Sequence, residues 1–202
     1  MMFDEVPKMK LSAGLLSVLL LFSSLLQAAP APLDQVRSTV DAVLMVLKDD
    51  AKDVAAKKDE IRALLGQRFD FRAMSQRTLA RNWKKASPEE QGRFVELYSH
   101  LLEDTYLVMV ESYTDETVAY KDASIKKDKY AEVRTAIVMD DKEIPVVYKT
   151  LLRDDQWYIY DVVIEGVSLI SNYRSSYGAI AKKEGVAGLI GKLEAKLAGP
   201  AI

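Results

Sequence analysis

The sequence predicts an α+β fold in which a curved four-stranded antiparallel sheet is embraced by about six helices. Apolar residues recur at helical spacing between about residues 33 and 109. From about residue 117 to residue 164 they alternate with polar residues instead, and short polar turns separate the runs. Helical spacing returns after Gly166. Helices on either side of a block of strands are typical of an α+β protein.

The first 28 residues are interpreted as a signal peptide, and residues 29–202 as a single domain. Lys8 and Lys10 precede an uncharged apolar run over 11–26, and small residues follow at Ala28 and Ala29. Because serines interrupt this run and it is short for a membrane span, a cleaved signal peptide is favoured over an anchor. Cleavage after Ala28 leaves about 174 of the 202 residues, which suits one domain with a sizeable core.

The composition excludes several classes of protein. The formal net charge of −2 gives no basic excess for binding nucleic acid. With 49% hydrophobic and 29% charged residues, the chain is typical of a globular protein. It contains no cysteine, which excludes disulfides and a lipid anchor on cysteine.

Four helices are predicted before the strands. The first three are expected over residues 33–47, 52–65 with a stop at Gly66, and 71–83. The fourth has the best-marked start, because Ser87 can cap it, Pro88 suits the first helical position and Glu90 completes a capping box. Its apolar stripe extends to about residue 109.

Four strands are predicted over about 117–126, 133–139, 144–152 and 157–164. The pairs Asp140–Asp141 and Asp154–Asp155 lie between strands. Paired carboxylates can serve acid-base catalysis, but aspartate is also common in tight turns, and we interpret both pairs as turns.

Two helical segments close the chain, over about 167–181 and 185–197. Gly185, Gly188 and Gly191 have a spacing that superficially resembles a phosphate-binding loop. The segment lacks the Lys-Ser/Thr ending and the preceding strand of such loops, so close helix packing is the favoured interpretation.

The sequence contains few residues in patterns typical of catalytic sites. His100 is the only histidine, and it lies in an apolar-patterned helix. No nucleophile elbow or zinc motif is present. We therefore interpret His100 as a packed or surface residue, and we predict no enzyme activity and no metal or organic cofactor.

The last predicted strand is apolar on both faces. Trp157, Ile159 and Val163 alternate with Tyr158, Tyr160, Val162 and Ile164. A sheet with one solvated face shows a cleaner alternation. Either helices cover both faces, or one face lines a ligand cavity, and the pattern alone leaves both possibilities open.

The segment 157–169, followed by Asn172-Tyr173-Arg174, closely resembles the MlaC family, also called the toluene-tolerance family. The resemblance extends upstream to Phe69-Asp70-Phe71 with Met74, and to the stretch 83–94. It implies an apolar lipid cavity in the fold and a soluble periplasmic phospholipid carrier, with the lipid as cargo. It also implies two partners, an outer-membrane lipoprotein–porin complex and an inner-membrane MCE-domain protein of an ABC transporter complex. The implied role is to maintain the lipid asymmetry of the outer membrane.

Face alternation and helical spacing select candidate lipid-binding residues. On the strands they are Val133, Ile137, Val146, Tyr148, Tyr160, Val162 and Ile164, and on the helices Leu102, Tyr106, Met109, Leu169 and Tyr173. Three cations interrupt apolar strands and are candidates for contact with a lipid head group or a partner: Arg134, Lys149 and Arg153. A solvated sheet edge is the alternative for these cations.

Asp161 is expected to be structural. It lies mid-strand among apolar residues, and a covered carboxylate needs a partner. Arg174 is the predicted partner, with Arg153 as the rival. An enzyme on a cone-shaped α+β fold, the less favoured alternative function, would use Asp161 as its acid. A periplasmic interaction module with a solid core and no lipid is the other alternative.

Overall fold

The computed structural model describes residues 29–111, 117–139 and 141–199, with the backbone alone for 106–111. Its sheet runs in the order β1-β2-β3-β4-β5, with antiparallel pairing throughout. The strands are β1 Thr117–Lys126, β2 Tyr130–Val138, β3 Glu143–Arg153, β4 Gln156–Ile164 and β5 Val167–Ser168. The α+β class and the four predicted strands are confirmed. The two-residue β5 was not predicted.

Tight turns join the later strands. Asp154 and Asp155 have φ angles of 49° and 55°, the positive values that a type I′ hairpin requires and that aspartate tolerates. The predicted turn at this pair is confirmed. Asp140, of the other pair, lies outside the described residues.

The helices are α1 Pro32–Leu47, α2 Val54–Arg68, α3 Phe71–Leu79, α4 Pro88–Glu111 and α5 Leu169–Leu197, and a 3₁₀ helix covers Ala80–Lys85. The capping box of α4 is confirmed. The Glu90 amide donates to Ser87 Oγ at 3.2 Å, and the Ser87 amide donates to Glu90 Oε2 at 2.8 Å.

Two predicted helix ends differ from the structure, and one predicted break is confirmed. The stop expected at Gly66 is wrong, since one glycine inside a helix costs only about 1 kcal/mol and α2 continues to Arg68. Regular α-helix ends at Leu79 rather than at residue 83, because Ala80 has a φ of 49°. The break at Gly185 is confirmed, with φ 75° and ψ 175° inside α5.

Apolar side chains form three clusters. The helical core lies between α3, α4 and α5 and includes Phe94, Tyr98 and Leu189, which are fully buried. The sheet cluster contains Val146, Ile159, Val162 and Leu169. A third, smaller cluster lies between α1 and α2. Phe69, the residue that follows α2, packs against both the helical core and the sheet cluster.

Candidate functional site

The strand register places most of the predicted wall residues on one face of the sheet. Val133 pairs with Tyr148, which pairs with Val162 across the next strand. Val146 lies opposite Ile164 in the adjacent row. We call this the inner face, defined by the side chains of Val133, Ile137, Val146, Tyr148, Val162 and Ile164.

The inner face combines buried and partly exposed apolar groups. Val133, Val146 and Val162 are buried, whereas Ile137, Tyr148 and Ile164 retain partial exposure and pack against the sheet cluster. Burial raises the pKa of Tyr148 to about 12, so this side chain is neutral at physiological pH. The face is therefore an apolar surface without a formal charge of its own.

Helix α1 lies against the β1–β2 side of this face. Tyr120 pairs with Thr135 on the inner face, and its hydroxyl donates to Asp41 of α1 at 2.6 Å. The Arg37 guanidinium stands 4.9 Å from the Tyr120 ring centroid. At the other end of α1, the Trp157 amide donates to Gln35 Oε1 at 2.8 Å. These contacts between α1 and the sheet are polar ones.

Tyr160, which was expected on the same wall, lies on the opposite, outer face. The pairing of β3 with β4 shifts so that Lys149 faces Asp161 while Thr150 faces Ile159, which leaves Tyr160 as the bulged residue. Its ring packs edge-on against Tyr130 at 6.0 Å, and the Arg77 guanidinium stands 4.1 Å from its centroid. The bulge therefore places Tyr160 on the face opposite to the one predicted by simple alternation.

The predicted helical wall residues divide between the clusters. Leu169 belongs to the sheet cluster, beside the inner face. Leu102 is buried in the helical core, and Tyr173 packs there against Tyr98 at 5.4 Å. The side chains of Tyr106 and Met109 lie outside the described residues. Contact of any of these residues with lipid stays a prediction.

The three predicted contact cations alternate with inner-face residues and so lie on the outer face. Arg134 pairs with Asp122. The Lys149 ammonium lies 3.1 Å from Asp161, and the Arg153 guanidinium lies 2.6 Å from Asp70. A head group held against the inner face would thus be separated from them by the sheet. Their contact with a partner stays a prediction.

Asp161 is buried as expected, but its predicted partner is wrong. Its carboxylate accepts from Lys149 Nζ at 3.1 Å, from Ser168 Oγ at 2.8 Å and from the Ile170 amide at 3.2 Å. Arg174 instead donates through Nε to the carbonyl of Arg77 at 2.8 Å. Asp161 therefore fixes the start of α5 to β3 and β4, and three donors occupy its oxygens.

Two clefts open elsewhere among the described residues. One, of about 320 Å³, is bordered by Arg62, the exposed His100, Asp104 and Leu197. The other, of about 230 Å³, lies where the 3₁₀ helix meets the Gly185 kink. Inner-face residues line neither. In the described ranges, no group of three or more acidic or histidine side chains is arranged to hold a metal, and no helix is long and apolar enough to cross a membrane.

The sequence profile of the MlaC family matches residues 37–195, which include most of α1, all of α2 to α4, the whole sheet and most of α5. The chain belongs to the MlaC family. This confirms the resemblance drawn from the β4–α5 segment.

Two relatives extend this result. The chain is 21% identical over 131 residues to the intermembrane phospholipid transport system binding protein MlaC of Haemophilus influenzae. That match covers 62% of this chain and 61% of the relative, less than two thirds of its length. The fold is similar to that of a phospholipid-binding protein from Ralstonia solanacearum, solved in complex with a phospholipid at 1.53 Å. The TM-score is 0.75 at 27% identity, covering 84% of this chain and all of the other.

Sequence reasoning missed the residues that tie the first helix to the sheet. Gln35 and Trp157 are 122 positions apart, and the Trp157 indole also donates to the Pro30 carbonyl at 3.0 Å. Phe69, which joins two apolar clusters, carried no signal beyond its place in the family motif. A single glutamine on a helix gives no sequence signal for such a distant contact.

Proposed function

We propose that this MlaC-family chain binds a phospholipid by its acyl chains against the inner face and carries it through the periplasm. The observation that supports this most directly is the set of partly exposed apolar side chains, Ile137, Tyr148 and Ile164, on the face against which α1 lies. The solved relative, described as bound to a phospholipid, has this fold over its whole length.

The energetics fit a carrier. Each methylene removed from water is worth about 0.8 kcal/mol, so exposing one chain of about 16 carbons costs on the order of 12 kcal/mol. Unassisted crossing of an aqueous compartment is therefore very rare. Contact with an apolar face offsets this cost without selecting one head group.

The route and partners belong to the same proposal. The chain is exported by residues 1–28 as a cleaved signal peptide, and residues 29–202 form the lipid-binding domain. It exchanges lipid with an outer-membrane lipoprotein–porin complex and with an inner-membrane MCE-domain protein of an ABC transporter complex. The family membership, and the name of the Haemophilus influenzae relative, support a place in such a system. Its role there is to maintain outer-membrane lipid asymmetry.

We assign no catalytic step to the chain, because Asp161, the acid that an enzyme on this fold would use, already accepts from three donors.

The wall assignment is tested by filling the inner face. Val146→Trp and Val162→Trp place a large ring on it, at an overpacking cost of about 1–3 kcal/mol. We expect the lipid-to-protein ratio, measured by native mass spectrometry of purified protein, to fall in both variants. Val147→Trp and Val163→Trp are matched controls, because each changes the neighbouring residue on the outer face.

Equal lipid content in all four folded variants would contradict the assignment. Wild-type protein that purifies with no lipid and takes none from phosphatidylethanolamine vesicles would favour the interaction module without a lipid site.

A further inference from the structure

Positive charge is concentrated on two neighbouring segments of the chain. Residues 71–86, which form α3 and the 3₁₀ helix, and residues 169–183, in the first half of α5, contain eight basic side chains and no acidic one. The formal net charge of the whole chain is −2, so the remainder carries −10. We call the eight basic side chains of the two segments the basic surface: Arg72, Arg77, Arg81, Lys84, Lys85, Arg174, Lys182 and Lys183.

The two segments adjoin along their length. Arg174 of α5 donates through Nε to the carbonyl of Arg77 at 2.8 Å. Farther along, Lys85 and Asn82 share the walls of the 230 Å³ cleft with Ala181 and Gly185. The two basic segments therefore lie side by side, in contact at Arg77 and Arg174 and again around the cleft.

These charges are not neutralised within the described part of the chain. Arg77 is half-buried, the other seven side chains are exposed, and none lies within 4.0 Å of a described carboxylate. Glu90 also borders the cleft, but its Oε2 accepts from the Ser87 amide. By contrast, Arg62, Arg93, Arg134 and Arg153 each pair with a carboxylate.

Several of the arginines are held in place by neutral contacts. Arg77 stacks on Tyr160 and donates to the Ala73 carbonyl at 3.3 Å. The Arg72 guanidinium stands 5.3 Å from the Trp83 ring. A guanidinium that is already oriented loses less entropy when it binds a carboxylate in two-point geometry. Arginine beside a partly exposed tyrosine, as at Arg77 and Tyr160, is also a composition enriched at the centres of protein interfaces.

We propose that the basic surface docks an acidic segment of a partner protein. A protein is favoured over an anionic membrane because membrane contact couples charge to apolar insertion, and the large apolar side chains that are most exposed, Met45, Val54, Ile125 and Val167, lie outside both segments. The proposal deepens the carrier function, on which it rests, by naming the chemistry of the partner that the carrier meets. Charge complementarity of this kind mainly accelerates and orients association.

The test uses a fluorescein-labelled peptide of about ten glutamates and the full mature chain. The surface variant combines Arg81→Glu, Lys85→Glu and Arg174→Glu. The matched control combines Lys127→Glu, Lys129→Glu and Lys142→Glu, which make the same charge change at exposed lysines outside the surface. We expect wild-type and control protein to bind the peptide at low salt and to lose affinity as salt rises, and the surface variant to bind at least tenfold more weakly by fluorescence anisotropy.

Equal affinities of the surface variant and the control would overturn the proposal. The proposal would also be overturned if wild-type protein did not bind the peptide but sedimented with phosphatidylglycerol vesicles, and the surface variant did not sediment with them. Lipid content and thermal unfolding are measured on the same proteins. The surface variant is expected to keep its lipid and its fold, whereas lipid missing from every protein counts against the carrier function and leaves the peptide result standing.

Discussion

At the scale of single residues, Asp161 gives the clearest energetic prediction. Its carboxylate is 4% exposed and accepts from Lys149, Ser168 and the Ile170 amide. Asp161→Ala leaves the buried Ile170 amide and the Ser168 hydroxyl without their acceptor, whereas the partly exposed Lys149 can be hydrated. We therefore expect it to lower the free energy of unfolding by about 1–3 kcal/mol. Double-mutant cycles by urea unfolding check the partners: Asp161→Ala should couple to Lys149→Ala and not to Arg174→Ala. Coupling to Arg174 alone would contradict the observed geometry.

Glu103 is buried on α4, and its effect on stability depends on pH. Burial raises its pKa, the charges of His100 and Arg62 lower it, and Asp104 raises it again, with a net upward shift. An acid with a raised pKa in the folded state favours folding when protonated, and this contribution is lost as pH rises through the folded pKa. We therefore expect Glu103→Gln to raise Tm at pH 8 and to change it little at pH 4.

The control for that change is the next residue along the chain. Asp104 is exposed and lies 2.9 Å from Arg62, so Asp104→Asn should give no gain at pH 8. A lower Tm for Glu103→Gln at pH 8 would mean that the Arg62 contact at 3.8 Å outweighs the cost of burial.

At the scale of elements, the kink in α5 depends on one glycine. Gly185 combines φ 75° with ψ 175°, a conformation essentially restricted to glycine, so Gly185→Ala should cost about 1–3 kcal/mol. Gly178 lies in regular helix with nothing within 4 Å of an added Cβ, so Gly178→Ala should stabilise by about 0.5–1 kcal/mol. Urea unfolding of both variants measures the difference. A neutral Gly185→Ala would contradict a kink that is fixed by backbone conformation.

The elements were predictable from the sequence wherever the signal is local. The Ser87–Glu90 capping box, the Asp154–Asp155 turn and the break at Gly185 each act within a few residues, and all three are confirmed. The prediction placed Tyr160 on the wrong face because a bulge shifts the β3–β4 register. Alternation along one strand does not reveal the register of the neighbouring strand. Phe69 joins two clusters through contacts that no local pattern specifies.

The site was less predictable than the elements for the same reason. Except at the Tyr160 bulge, alternation predicts the face on which a strand side chain lies, but it does not predict the partners of the charged side chains. Arg153 meets Asp70 across 83 positions, and Lys149 meets Asp161 on the neighbouring strand. A cation in an apolar strand is therefore predicted from the sequence to be free to bind a ligand, although in the folded protein it pairs with a carboxylate.

At the scale of the whole molecule, the three apolar clusters imply that stability is uneven. The α1–α2 cluster of Val43, Val46, Leu47, Ile61, Leu64 and Leu65 shares no residue with the helical core or the sheet cluster. Polar contacts, Tyr120–Asp41 and Arg62–Asp104, join the hairpin of α1 and α2 to the sheet and to α4. Segments with few shared apolar contacts open locally at lower free energy than the core.

Tyr120→Phe tests this organisation, because it removes the hydroxyl that donates to Asp41 and leaves the ring in place. A hydrogen bond to a charged group contributes about 1.5–3 kcal/mol, and an exposed one such as this contributes less. If the hairpin opens as a unit, a loss of about 1 kcal/mol makes its amides exchange about fivefold faster, while exchange in α5 stays unchanged. Hydrogen exchange with mass spectrometry measures both regions in one experiment, and Tyr130→Phe, a change on the outer face, is the control. Equal acceleration of amide exchange in the hairpin and in α5 would show that the two regions unfold as a single cooperative unit. In that case α1 would have to stay in place, and a lipid would have to reach the inner face from another side.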